Sequence, residues 1–348
     1  MEIGRVSLSQ EFEDRAVDRV PPFDLAPCPA RIDAVDQKLR GRLTDSLRYL
    51  AEFATLDDQR QASLTRLEAK LKSGPVSPWV FGLYAKLVAV LSADLRGDVG
   101  SDLDAVLGAA GLPVDEGVVA FRNPAVPVPW WNHFQLLFDT DRKRPFHPQA
   151  PAADTSARCR QEIEQGLSLM QRADPIWHEE LRHLLRMIVL AVPASSKAID
   201  LFNGASTFFL WGATLINADV KRTAVSICDL LVHESSHGML FGFSAESALT
   251  RNSGEERYTS PQRSDARPIA GIFHACFVAT RVHLAMSRML DSGQLTAAEE
   301  KQAMERRDFN GNAARTAQDV LEERARPTQL GDQILGTIRA YWSANPGE

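Results

Sequence analysis

Two histidines four residues apart, with a glutamate beside the first, occur at His233-Glu234-Ser235-Ser236-His237. On a helix, residues four apart lie about 40° from each other around the axis, so both imidazoles project from one face and can hold one metal ion. Glu234 then sits beside the metal. Thr223 to Leu231 carries apolar residues at helical spacing, with no Gly or Pro before Gly238, which predicts a half-buried helix under the motif. The bland alternative is a pair of surface histidines on an ordinary helix.

Two histidines leave a metal short of a stable ligand set, and the chain offers two candidates for a third. Glu256 follows His237 with 18 residues between them, a spacing used by zinc peptidases, although Arg251 to Pro261 reads as loop. His274 is the other. Asp265 can cap a helix whose first turn holds Pro268 and whose body is the apolar run to Leu290. On that helix Arg267, Gly271 and His274 would share a face, with Arg267 about 10 Å along the axis from His274. That face presents a cation, a gap and a ligand. The guanidinium could grip the far carboxylate of a small dicarboxylic acid chelating the metal. His283 points to the opposite face and reads as structural. Residue types alone leave the metal open, since three histidines with a water also suit zinc and the better-known non-haem iron triad contains a carboxylate.

The H-E-x-x-H motif, followed after a loop by Ser260, Pro261, Arg263, Asp265, Arg267, Pro268, Gly271 and His274 in the pattern S-P-x-R-x-D-x-R-P-x-x-G-x-x-H, resembles the H-E-x-x-H proteins encoded with ribosomally made, post-translationally modified peptides. That family is understood as iron(II)- and 2-oxoglutarate-dependent peptide β-hydroxylases. The close resemblance covers about a quarter of the chain, Phe202 to Leu290. It implies that His233, His237 and His274 bind Fe(II), that Arg267, or else Arg263, holds 2-oxoglutarate, and that dioxygen and a precursor peptide are the partners. The implied reaction is oxidative decarboxylation to succinate coupled to hydroxylation at Cβ of a peptide side chain. Glu234 need not act as a base there and could instead orient a ligand. The competing enzyme reading is a zinc metallopeptidase in which Glu234 deprotonates metal-bound water. A third reading is a non-catalytic peptide-binding protein carrying a fortuitous motif.

The formal net charge of −6 and pI near 5.8 give no electrostatic case for nucleic acid. Cys28, Cys159, Cys228 and Cys276 have no C-x-x-C spacing, which fits a reducing compartment. Neither a signal peptide nor a window approaching 18 uninterrupted apolar residues is visible, so the expected location is cytoplasmic, with no membrane partner.

The elements that must position the motif follow from periodicity. Residues 1–31, rich in charge and proline, predict an irregular surface arm. Residues 32–150 predict a helical N-terminal region, with leucines at helical spacing from Leu39 to Leu50 and again from Leu64 to Leu71, then an extended, proline-rich stretch around Trp130 and Trp131. That tryptophan pair could line a groove, with buried packing as the alternative. A soft boundary near 150 opens the metal-binding region, 151–348. It contains helices over Ser156–Arg172 and Pro175–Met187, and strands at Ile188–Val192 and Ala205–Leu210 behind an Asn203-Gly204 turn. His178 and His183 are five apart and cannot share an ion from one helix. Asp308-Phe309-Asn310-Gly311-Asn312 looks like the start of a calcium loop but lacks the later ligands, and reads as a turn between helices. The expected fold is α+β, predominantly α-helical, with a small β-sheet beside the H-E-x-x-H helix.

Overall fold

Two pentapeptides, the apolar Met187–Ala191 (β2) and Ala213–Asn217 (β4), which carries Thr214 and Asn217 among apolar residues, are buried at every position and pair in parallel. Strands covered on both faces read as continuous apolar runs, and parallel neighbours need a long crossover between them. Gly117–Ala120 (β1) pairs in parallel with β2, and Gly204–Ser206 (β3) pairs antiparallel with β4, giving the order β1-β2-β4-β3. A separate hairpin joins Tyr258–Ser260 (β5) to Arg263–Arg267 (β6). The computed structural model describes residues 23–53, 56–92, 99–139, 145–195, 202–260 and 263–346; among these the fold is α+β and mainly helical, as the periodicity predicts.

The sheet is a wall between two cores. Met187, Val189 and Ala191 of β2 face one way and Ile188 and Leu190 the other, the period-two alternation of a strand. The first face packs on α2 (Asp58–Ser73), α3 (Pro78–Ser92), α4 (Val99–Ala109) and α5 (Val128–Phe138). The second packs on α6 (Ala153–Ala173), α7 (Pro175–Leu184), α8 (Ala224–Phe243), α9 (Ile269–Asp291), α10 (Ala297–Arg324) and α11 (Gln329–Ala344). Helix α1 (Pro29–Phe53) gives Ile32, Val35 and Leu39 to the second core and Leu43 and Leu47 to the first. The boundary expected near residue 150 therefore crosses a shared sheet, since β1 on one side of it pairs with β2 on the other.

Several sequence expectations are corrected. The proline-rich stretch does not stay extended: Val128–Phe138 is a helix with proline in its first turn, where its missing N–H costs nothing. Trp131 is buried within an aromatic cluster with Trp79, Phe121 and Phe134, and Trp130 packs on Trp79, so the pair builds core rather than a groove. The described end of the arm is not laid over the surface. Phe23 contacts the rings of Phe243 and Phe277, and Leu25 is buried, because these two apolar side chains close the seam between α8 and α9; residues 1–22 of that expected arm lie outside the described residues. The predicted strand Ala205–Leu210 ends at Ser206 and gives way to a 3-10 turn over Phe208–Leu210. Asp308–Asn312 is not a turn but lies inside α10, where Gly311 meets α9: a Cβ there would stand 2.9 Å from Cδ2 of His283. Helix α9 is long and apolar enough to cross a membrane by length and composition, yet 72% of its most apolar window is buried inside the fold.

Candidate metal centre

Thr223 starts the motif helix. Its side chain accepts from the Ser226 amide while Ser226 accepts from the Thr223 amide, satisfying donors that a helix N-terminus leaves open. Ten and fourteen residues on, His233 and His237 project from one face, their Nε2 atoms 3.3 Å apart. Metal–nitrogen bonds of about 2.0–2.1 Å place neighbouring ligand nitrogens roughly 3.0–3.4 Å apart, so this pair spans one edge of a coordination shell.

Helix α9 brings His274 to the other side of His237. The two rings are nearly parallel, 19° between planes, with their Nδ1 atoms 3.3 Å apart. Phe241, one turn beyond His237, covers His274 with ring centroids 4.8 Å apart. Burial pulls both His233 and His274 down to about 4, so their rings are neutral at physiological pH. Neutral imidazoles with free lone pairs are what a metal requires. The nitrogens as they stand do not converge: among the described residues no three His, Cys, Asp or Glu side chains are grouped to hold one ion. His233 faces Nε2 of His237, whereas His274 faces its Nδ1. By its chemistry the donor set fits a metal: three imidazoles from two packed helices, each with a nitrogen 3.3 Å from a nitrogen of its neighbour.

Glu234 is buried and points to the sheet. Ser206 on β3 places its hydroxyl 2.8 Å from Oε2 and 3.1 Å from the Glu234 main-chain carbonyl. The carboxyl lies flat against the strand, since a Cβ on Gly204 would come within 2.5 Å of Oε1. Burial raises Glu234 to about 7, against the opposing pull of the Ser206 hydrogen bond and the Arg222 charge. Arg222 donates to the carbonyls of Asn217, Val220 and Asn203, tying the approaches to β3 and α8 together.

Arg267 is not on the helix of His274. It ends β6, paired with Tyr258, and Pro268 is the N-cap of α9, so the expected cap Asp265 lies in the strand instead. The reason is local: proline disfavours helical backbone at the residue before it. Arg267 lies beside Gly271 at the start of α9, with its Cβ 3.7 Å from where a Gly271 Cβ would stand and its Nε and Nη2 buried. A Cβ on Gly271 would make only ordinary contact, so nothing in the chain itself requires glycine there. The Arg263 side chain lies outside the described residues.

Glu256 is engaged elsewhere. Asn252, the Ser253 amide, Tyr258 and Arg326 all donate to its carboxylate, and the hydrogen bond from Tyr258 leads these in holding it down to about 2. Sequence reasoning missed Gly204, Ser206 and Phe241. Phe241 was findable, four residues past His237 on the same helical face; Gly204 was read as a turn because Asn-Gly signals one.

No family model matches this chain, and no curated protein matches it either.

Proposed function

We propose that this protein is an iron(II)- and 2-oxoglutarate-dependent dioxygenase that β-hydroxylates a side chain of a ribosomally made precursor peptide. The observation that carries the reading is His237 flanked at 3.3 Å by both His233 and His274. Three histidines on two packed helices form a donor set that would hold a metal and leave positions for a keto acid and dioxygen. Iron over zinc rests on the motif resemblance.

Bound iron would supply activation of dioxygen, the oxidant that takes two electrons from 2-oxoglutarate in its decarboxylation to succinate and two from the hydroxylated C–H bond. The chain's own residues do the rest. His233, His237 and His274 would hold the metal, and burial keeps His233 and His274 unprotonated and ready to ligate. Arg267, at the foot of α9, is the cation for the distal carboxylate, and burial of its nitrogens strengthens a charge-assisted pair. Glu234 holds the metal helix against β3 through Ser206, an orienting task rather than proton transfer. Phe241 shields the third histidine from water.

One observation favours the zinc peptidase instead: a carboxyl raised to about 7 is well matched to a general base. The two part company on two variants. If hydroxylation is the reaction, Arg267→Ala abolishes succinate formation and Glu234→Gln retains a substantial fraction of it. If peptide hydrolysis is the reaction, Glu234→Gln is nearly inactive and Arg267→Ala is not.

A further inference from the structure

Seven residues past His274, Arg281 is completely buried, and so is its partner Glu180 on α7, with Nη2 of the arginine 2.5 Å from Oε1 of the glutamate. Every polar arm of this pair is occupied. Arg281 Nε donates to the Leu25 carbonyl at 3.1 Å, and Nη1 lies 2.9 Å from Sδ of Met239 and 3.5 Å from Oγ of Ser236. Its guanidinium stands 5.0 Å over the Trp177 ring. The other carboxylate oxygen of Glu180 accepts from the Cys28 amide at 2.7 Å.

Such a pair is a poor way to gain stability. Desolvating two charges offsets most of their attraction, and apolar residues of similar size commonly serve as well. What it does give is direction. On α9, Arg281 lies about 20° from His274 and about 10 Å further along, so both belong to one stripe. That stripe meets α8 twice, at His237 through His274 and at Ser236 and Met239 through Arg281. Ser236 lies inside the H-E-x-x-H motif itself. Apolar side chains would let α9 slide or rotate on α8 by a fraction of a turn at little cost, whereas a guanidinium with five fixed donors does not.

We infer that Arg281, held by Glu180, is a positioning residue for the metal centre: it fixes α9 on α8 at the level that brings His274 to His237. The inference rests on the reading that His233, His237 and His274 hold one ion. It needs no contact between Arg281 and the metal, because the coupling runs through two rigid helices.

The test is calorimetric titration of the metal-free full chain with cobalt(II), with the visible spectrum of the bound ion as a second readout of its ligands. Glu180→Leu with Arg281→Met replaces the pair by apolar residues of similar length and, because it leaves the Cys28 amide and the Leu25 carbonyl without these partners, is expected to fold with a somewhat lower urea midpoint. It should bind cobalt(II) about tenfold more weakly, at the lower end of what loss of an outer contact does to a metal site, and its spectrum should match that of His274→Ala. Adding His274→Ala to the pair should then weaken binding no further. Glu180→Gln, which loosens the brace while keeping its shape, should show the same pattern at smaller amplitude. Native affinity in the paired variant, or losses that multiply with His274→Ala, would overturn the positioning role and leave the metal centre standing. Failure of the native chain to bind cobalt(II) overturns both.

Discussion

Gly204→Ala offers a direct measure of how Glu234 is held. The added Cβ would stand 2.5 Å from Oε1, short by 3.4 − 2.5, or 0.9 Å, of the 3.4 Å at which ordinary contact begins. The carboxyl cannot yield without stretching the 2.8 Å bond from Ser206. Overpacking of this kind costs about 1–3 kcal/mol, and a hydrogen bond to a charged group is worth about 1.5–3 kcal/mol. Alanine in place of glycine returns about 0.5–1 kcal/mol of chain entropy in a strand. The net expectation is a loss of about 1.5–5.5 kcal/mol, read from urea unfolding of the metal-free chain. In a Glu234→Ala background the obstacle is gone, and the same Gly204→Ala change should fall within about 0.5 kcal/mol of neutral or stabilise slightly, as expected when the partner of a clash is removed. The coupling between the two positions is therefore the diagnostic. Equal losses in both backgrounds would refute the contact, and with it the assignment of Glu234 to β3.

Other outcomes follow from the same geometry. Burial raises Asp229 to about 6 even though Arg306 lies 3.2 Å away; a carboxyl whose folded value exceeds its unfolded value of about 3.9 withdraws stability as pH rises through that window. Asp229→Asn should therefore match the native chain near pH 4 and exceed it by about 2–3 kcal/mol above pH 7, in thermal or urea melts across pH. Asp36 is buried and accepts from Arg40, Arg186 and Trp211; Asp36→Ala leaves those donors stranded and should cost about 3–5 kcal/mol in the same melts. Glu256→Gln should leave cobalt(II) affinity at the native value in calorimetric titration, because its carboxylate is committed to Arg326, Tyr258 and Asn252.

The sequence was most legible where one local rule acted alone. Helical spacing placed His233 and His237 together, and burial of the α8 body followed from its apolar positions. The strands β2 and Gly204–Ser206 were visible as β-favouring runs, but β4 was not: Ala213–Asn217 follows a 3-10 turn so closely that no break separates the two in the sequence. Proline misled twice for opposite reasons. Pro129 starts a helix where an extended segment was expected, and Pro268 stops Arg267 from joining one. Gly311 looked like a turn residue and is a packing residue, since what it answers to is His283 on another helix. The buried charges were beyond local reading altogether. Glu180 and Arg281 are 101 positions apart, and nothing in either neighbourhood distinguishes them from solvated helix charges until α7 and α9 are packed.

The central claim is that His233, His237 and His274 hold an iron at which dioxygen oxidises 2-oxoglutarate. It is tested most directly by measuring succinate from 2-oxoglutarate with purified protein, added iron(II) and air, comparing the native chain with His274→Ala. The account predicts succinate from the native chain and none above background from the variant. Equal succinate from both would remove His274 from the ligand set; none from either, with the candidate precursor peptide present, would contradict the oxygenase reading and return the site to zinc and peptide hydrolysis.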